Sequence, residues 1–156
     1  MKKLSNPFAS LEGYNCFGCS PHNHGGLKMT FFEDGDEIVS TWEPAETHQG
    51  YHKVLHGGIQ ATLMDEIASW VVYVKLHTAG FTSRADIRYR KPVYVNQGPV
   101  TLRARCLKMR RNLADIEVRL FDKEERICAE GTFTYFTYSM EKARENFYYP
   151  GAAAFL

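Results

Sequence analysis

The chain has 156 residues, within the roughly 100–200 residues over which a single hydrophobic core suffices. Hydrophobic residues make up 44% and charged residues 24%, a globular balance that excludes disordered, collagen-like and disulfide-scaffold classes. Lys plus Arg total 19 against 18 for Asp plus Glu, a net charge of +1, so no global field exists to hold nucleic acid or an anionic membrane as a partner.

Met1, Lys2 and Lys3 carry the charge of a secretory leader, but Ser5, Asn6, Pro7 and Glu12 interrupt any apolar run after them, and no export signal is read. The most apolar stretch, Ile67 to Leu76, contains Ser69 and Lys75 and falls short of the roughly 20 residues that a membrane span needs. Cys16 and Cys19 form a close pair, while Cys106 and Cys128 lie far away. This is reduced usage, which predicts no disulfide and a cytoplasmic location.

Residues 1–26 read as an irregular lead-in rich in Asn, Pro, Ser, Gly and His. Leu27 to Phe32 and Glu37 to Trp42 are β-type runs on either side of Glu33-Asp34-Gly35-Asp36, whose Asp-Gly predicts a hairpin turn. Pro44 ends the second strand, and the polar segment from Glu46 to His56 reads as a loop approaching a functional region. From Ile59 to Val74, apolar residues recur at helical spacing through Ile59, Leu63, Ile67, Trp70 and Val74. Met64, Ala68, Val71 and Val72 make the other sides apolar too, so this helix must be enclosed by protein.

Four β-type segments follow: Thr82 to Tyr89, Pro99 to Met109, Leu113 to Asp122 and Arg126 to Tyr138. Turn signals at residues 96–98, 110–112 and 122–125 join them as an antiparallel meander. The expected fold class is α+β, a curved antiparallel sheet wrapped around one long central helix. That folded domain occupies residues 27–139. The tail at 140–156 reads as a docking helix, a contact to a neighbouring chain or a frayed end.

Asp65 and Glu66 are the charged residues of the apolar helix, and an unpartnered buried carboxylate costs several kcal/mol. Both could cap backbone or pair with an arginine across an interface; alternatively, one is a reactive group. Asp65 has Ala61, Thr62, Ala68 and Ser69 one helical turn away, all small, leaving room for a crevice over its carboxylate. His56-Gly57-Gly58 precedes the helix, and unpaired amides at a helix start suit an oxygen gaining negative charge. Gly58 and Asp65 lie seven residues apart, roughly 10 Å along a helix, too far for one carbonyl to meet both. Two antiparallel copies of the helix would resolve the distance, which predicts an isologous homodimer.

Several segments together carry a family resemblance: Asn15-CFGC-SPHNHGGL, HGG-IQATLMDE, ADIRYRKPV, RRNLADIEVRLFD and AEGTFTYF, over about residues 13–138. The chain resembles the hotdog-fold thioesterases, specifically the phenylacetyl-CoA thioesterase-like branch. The resemblance implies an acyl-CoA thioesterase with coenzyme A as part of its substrate and no separate cofactor. It makes Asp65, nine residues after His56, the catalytic carboxylate. It makes the Gly57 amide the group that polarises the thioester carbonyl, and points to Thr82, with Ser83 beside it, as the hydroxyl that positions water. It also implies sites shared between subunits of a homodimer, which can pair further into a homotetramer.

Asp65 is then either general base or nucleophile. Some relatives carry Asn six residues before the His of HGG. Here that position is Gly50, with His48 and Gln49 upstream as candidate substitutes. His56 organises the loop, and Gly58 and Glu66 join it at the substrate. Among cations for the CoA phosphates, Arg110 and Arg111, adjacent in a tight turn, rank ahead of Arg84, Arg90 and Lys91. Trp70, Tyr73 and Phe81 are candidates for the acyl pocket.

Cys16, Cys19, His22 and His24 place four potential metal ligands within nine residues, but the histidines lie closer than in a zinc finger, so no metal is expected. The family resemblance requires none. A non-catalytic acyl-CoA-binding protein is the alternative from another class. An enoyl-CoA hydratase is disfavoured because no Asp and His pair at helical spacing.

Overall fold

The computed structural model describes residues 1–156. The strands are β1 (Lys2–Lys3), β2 (Phe32–Asp34), β3 (Glu37–Trp42), β4 (Gly80–Tyr89), β5 (Val100–Arg110), β6 (Leu113–Phe121) and β7 (Ile127–Thr137), with helices α1 (Gly57–Lys75) and α2 (Met140–Phe147). The strands form one antiparallel sheet in the order β1-β2-β3-β5-β6-β7-β4. This is the hotdog fold: the sheet curves around α1, which packs against β3, β4, β5, β6 and β7.

Patterning explains the wrap. Val100, Leu102 and Ala104 on β5, and Ala114, Ile116, Val118 and Leu120 on β6, all face inward and are buried, as the period-2 alternation requires. They meet Leu63, Met64, Ile67, Ala68, Val71 and Val72 of α1, buried on several sides of the helix. Gly35 and Asp36 make the β2–β3 turn, with Gly35 at a φ of 62° that favours glycine.

The run from Leu27 to Phe32 differs from its β-type reading, because residues 27–31 form no ladder. Their backbone groups go elsewhere: Leu27 N–H to Phe17 O, Met29 N–H to Gly18 O, while Thr30 O accepts from Ser40 Oγ and Leu27 O from Trp42 Nε1. Lys28, at a φ of 52°, breaks the extended run. The segment therefore ties the lead-in to β3 instead of extending β2.

The lead-in and the tail both enter the core. Leu4, Phe8 and Cys19 are buried in the same cluster as Ala143, Tyr149 and Phe155. Ser5 N–H donates to Phe155 O, and the Tyr149 hydroxyl donates to Tyr73 O at 2.6 Å. Of the three readings of the tail, docking is the one observed. Phe155 is fully buried, with ring centroids 5.8 Å from Phe8, 5.3 Å from Trp70 and 5.4 Å from Tyr73. Phe155→Ala is expected to cost about 3–5 kcal/mol, read from the midpoint of urea unfolding.

Candidate functional site

The start of α1 leaves one amide free. His56 is the N-cap, and its Nδ1 accepts from Gly58 N–H at 2.8 Å. Ile59 and Gln60 N–H both donate to His56 O. The Gly57 N–H has no such partner, while its carbonyl accepts from the Tyr89 hydroxyl at 2.9 Å. A free N–H at a helix N-terminus is a donor for an oxyanion. It borders a cavity of about 320 Å³ shared with Gly50, Tyr51 and His56.

Two turns along α1, Asp65 faces a second cavity of about 410 Å³. Its Oδ1 accepts from Thr82 Oγ1 at 2.5 Å and from the Tyr135 hydroxyl at 2.6 Å. The same Tyr135 hydroxyl lies 2.8 Å from the Asp65 carbonyl oxygen. Thr82 on β4 and Tyr135 on β7 are directly opposite in the ladder, so one cross-strand pair supplies both donors. The register shifts between Thr82 and Arg84, a bulge that leaves Ser83 unpaired and exposed, away from the carboxylate. With both hydroxyls on Oδ1, Oδ2 keeps its lone pairs for a water or a carbonyl carbon.

Tyr135 was not among the sequence candidates. The signal lay in the alternation of β7, which turns Phe133 and Tyr135 inward, together with the rule that a buried tyrosine hydroxyl needs a partner. Burial, then the Asp65 charge, pushes the Tyr135 pKa up, so it remains a donor.

Glu66 and Tyr73 line the Asp65 cavity, as do Phe81, Phe8, Phe147 and Tyr148. Glu66 turns toward Cys16, whose thiol lies 3.5 Å from Oε1. Trp70 is core, stacked on Phe31 with centroids 4.1 Å apart, and does not line the Asp65 cavity. His48 is held in its loop by Ala45 N–H on Nδ1 and by its ring against Trp42. Gln49 is likewise engaged, with Lys53 N–H and Glu46 O. Both side chains are thus tied to the loop before α1. Gly57 and Asp65 of one chain line different cavities.

Arg110 is committed within its own turn. It grips Asp115 through Nε at 3.1 Å and Nη2 at 2.9 Å, and Thr134 Oγ1 donates to the same carboxylate at 2.8 Å. Arg90 pairs with Glu130. Arg84, Lys91 and Arg111 make no ion pair.

The thioesterase superfamily pattern matches residues 52–129, from the loop before α1 into β7. The chain belongs to the thioesterase superfamily. Similar solved structures include a thioesterase protein with coenzyme A from Streptococcus pneumoniae TIGR4, 26% identical, covering 72% of this chain and 87% of that one with a TM-score of 0.66. A Streptococcus mutans UA159 protein bound to acetyl-CoA shares 20% identity over 84% of this chain and 98% of that one, with a TM-score of 0.68. The thioesterase superfamily protein RHA08564 shares 18% identity over 76% of this chain, which spans 58% of its length, with a TM-score of 0.71. Curated protein sequences give no match.

The Arg110 grip, seconded by Thr134, holds the Asp115 carboxyl below its ordinary range. The resulting stability is fully present above the unfolded value of about 4 and is lost as pH falls through the folded one. Because Arg110 is half-exposed, solvent screening keeps the contribution small. Asp115→Asn is expected to lower Tm at pH 7, and the gap to wild type should close below about pH 4.

Proposed function

We propose that this superfamily member hydrolyses acyl-CoA thioesters, with Asp65 as the activating carboxylate and the Gly57 amide as the oxyanion donor. The observation that carries the reading is the Asp65 carboxylate, pinned through one oxygen by Thr82 and Tyr135 in a cavity walled by aromatic side chains. Two similar structures hold coenzyme A or acetyl-CoA, which supports the same substrate class here.

The thioester carbonyl oxygen accepts from Gly57 N–H and its carbon becomes electrophilic. Asp65 Oδ2 takes a proton from water as the water oxygen bonds that carbon. When the tetrahedral intermediate collapses, the C–S bond breaks and the proton passes to the CoA sulfur, leaving a free acid and CoA–SH. Direct attack by Oδ2 to give an anhydride, then hydrolysed by water, has the same balance. Phe8, Tyr73, Phe81 and Phe147 suit an aromatic or short apolar acyl group. Arg84, Lys91 and Arg111, free of ion pairs, are the cations left to meet the CoA phosphates.

The reading requires a homodimer. Asp65 and Gly57 lie eight residues apart on one helix, about 12 Å. β4 is an edge strand, paired with β7 alone, with Thr82 bonded to Asp65 and Tyr89 to Gly57 of α1. Antiparallel pairing of β4 with a second copy would bring Thr82 opposite the partner's Tyr89. Each Asp65 would then face the Gly57 amide of the other chain.

Thiol release from aryl and fatty acyl-CoAs tests this. Asp65→Asn is expected to lower kcat by about 10²–10⁴-fold, with its dimer intact in size-exclusion chromatography. Gly57→Pro removes the free N–H at the first helical position, where proline is tolerated, and is expected to cost about 10²–10³-fold. Mixed dimers of the two variants should regain activity, because each contains one site with both groups. Undiminished turnover by Asp65→Asn would remove the carboxylate from the mechanism. Absence of turnover by wild type would favour a binding protein.

A further inference from the structure

Cys16, Cys19 and Glu66 converge beside the Asp65 cavity, and nothing in the thioester chemistry uses them. Their ligand atoms all lie within 4.8 Å of one another. Cys16 Sγ is 3.6 Å from Cys19 Sγ, and 3.5 and 3.7 Å from the two Glu66 carboxylate oxygens. Ligands at about 2.3 Å (sulfur) and 2.0 Å (oxygen) around a tetrahedral zinc stand roughly 3.8 Å apart for S···S and 3.5 Å for S···O. The separations of Cys16 from Cys19 and from Glu66 match the edges of such a tetrahedron, and Cys19 Sγ lies within 4.8 Å of the Glu66 carboxylate.

The surroundings have the character of a cation site that lacks a protein cation. Glu66 is half-buried, and no arginine, lysine or histidine forms an ion pair with its carboxylate. Its closest polar side-chain neighbours are thiols, so ionising it together with Cys16 would set like charges side by side. Cys19 Sγ has two hydrogen-bonding neighbours of its own, the Tyr14 hydroxyl at 3.0 Å and Asn6 Nδ2 at 3.6 Å, the outer-shell support that metal-bound thiolates receive.

The loop is shaped to admit Glu66. Gly18 stands between the cysteines, and a Cβ there would lie 2.5 Å from the Glu66 carboxyl carbon. Backbone bonds Leu27 N–H to Phe17 O and Met29 N–H to Gly18 O fix this turn. His22 points elsewhere, its Nε2 at 3.2 Å from Ala9 O. The ligand set that sequence spacing argued against is therefore replaced by one that the spacing could not reveal, with its third member on α1.

We propose that Cys16, Cys19 and Glu66 bind one zinc ion, which clamps the lead-in onto α1 and fixes the wall of the cavity next to Asp65. Cys16 and Glu66 both border that cavity, so the fourth coordination position opens toward it. The clamp is structural: zinc holds the Glu66 carboxylate and both sulfurs as anions, and no bond of the substrate is made or broken on it.

The test reads metal content without substrate, so its result is independent of the thioesterase reading. Reduced, chelator-stripped full-length protein is incubated with zinc, desalted and analysed for metal, and a second sample is titrated with cobalt(II). Wild type and Asp65→Asn are each expected to retain one zinc per chain, and the cobalt form to show sulfur-to-metal charge-transfer absorption. Cys16→Ser and the near-isosteric Glu66→Gln should each weaken binding by tenfold or more, and Tyr14→Phe roughly tenfold through the outer shell. Thermal unfolding should shift upward with zinc in wild type and not in Cys16→Ser. Failure of the reduced wild type to retain zinc would overturn the proposal. So would zinc retained equally by a folded Cys16→Ser/Cys19→Ser variant, or a cobalt spectrum without thiolate bands.

Discussion

Enclosing α1 is the constraint from which the rest of the architecture follows. A 19-residue helix that is apolar on several sides cannot stay in water, and a flat sheet would cover one side alone. The strands must curve around it, so β3 through β7 all reach it. Access to the helix survives where its residues are small and where the cover is thin. Ala61, Thr62 and Ser69 surround Asp65, and the hydroxyls of Thr62 and Ser69 bond back to helix carbonyls. The carboxylate is thus left where the apolar cylinder opens onto a cavity.

That placement underlies the proposed chemistry. The cross-strand pair Thr82 and Tyr135 holds one carboxylate oxygen and leaves the other available. At the N-terminus of the helix, two turns before Asp65, His56 satisfies the second, third and fourth amides through its side chain and carbonyl, leaving Gly57 N–H unbonded. A carboxylate and an oxyanion donor on one rigid helix cannot meet at one carbonyl. Under the proposed mechanism, their separation calls for an edge-to-edge dimer, which would also cover the β4 edge.

The chain termini are structural parts of the same core. Phe155 and Tyr149 from the tail pack with Phe8 from the lead-in around Tyr73 of α1. Tyr73 and Phe8 also wall the cavity over Asp65. Both ends of the sequence therefore shape the pocket that the central helix opens, and a change in either can alter what fits.

Periodicity identified α1 and the β5–β6–β7 meander and singled out Asp65 and Glu66 as charges on an apolar helix; β4, expected beside β5 through the turn at 96–98, instead crosses the sheet to pair with β7. Helical and strand spacing are local properties, and a charge on an apolar helix stands out without coordinates. The resemblance of the HGG segment and its neighbours to thioesterases added Gly57 and Thr82. Tertiary structure decided what local pattern cannot encode: which side chains from distant segments meet, and which are already occupied. Tyr135 lies 70 residues from Asp65 in sequence, and Glu66 lies 50 from Cys16. Arg110 carries the charge expected of a phosphate ligand, yet Asp115 engages it. Trp70 has the character of an acyl-pocket residue, yet Phe31 stacks on it in the core. Residue type sets what a group can bind, but only the packed chain determines which partner reaches it first.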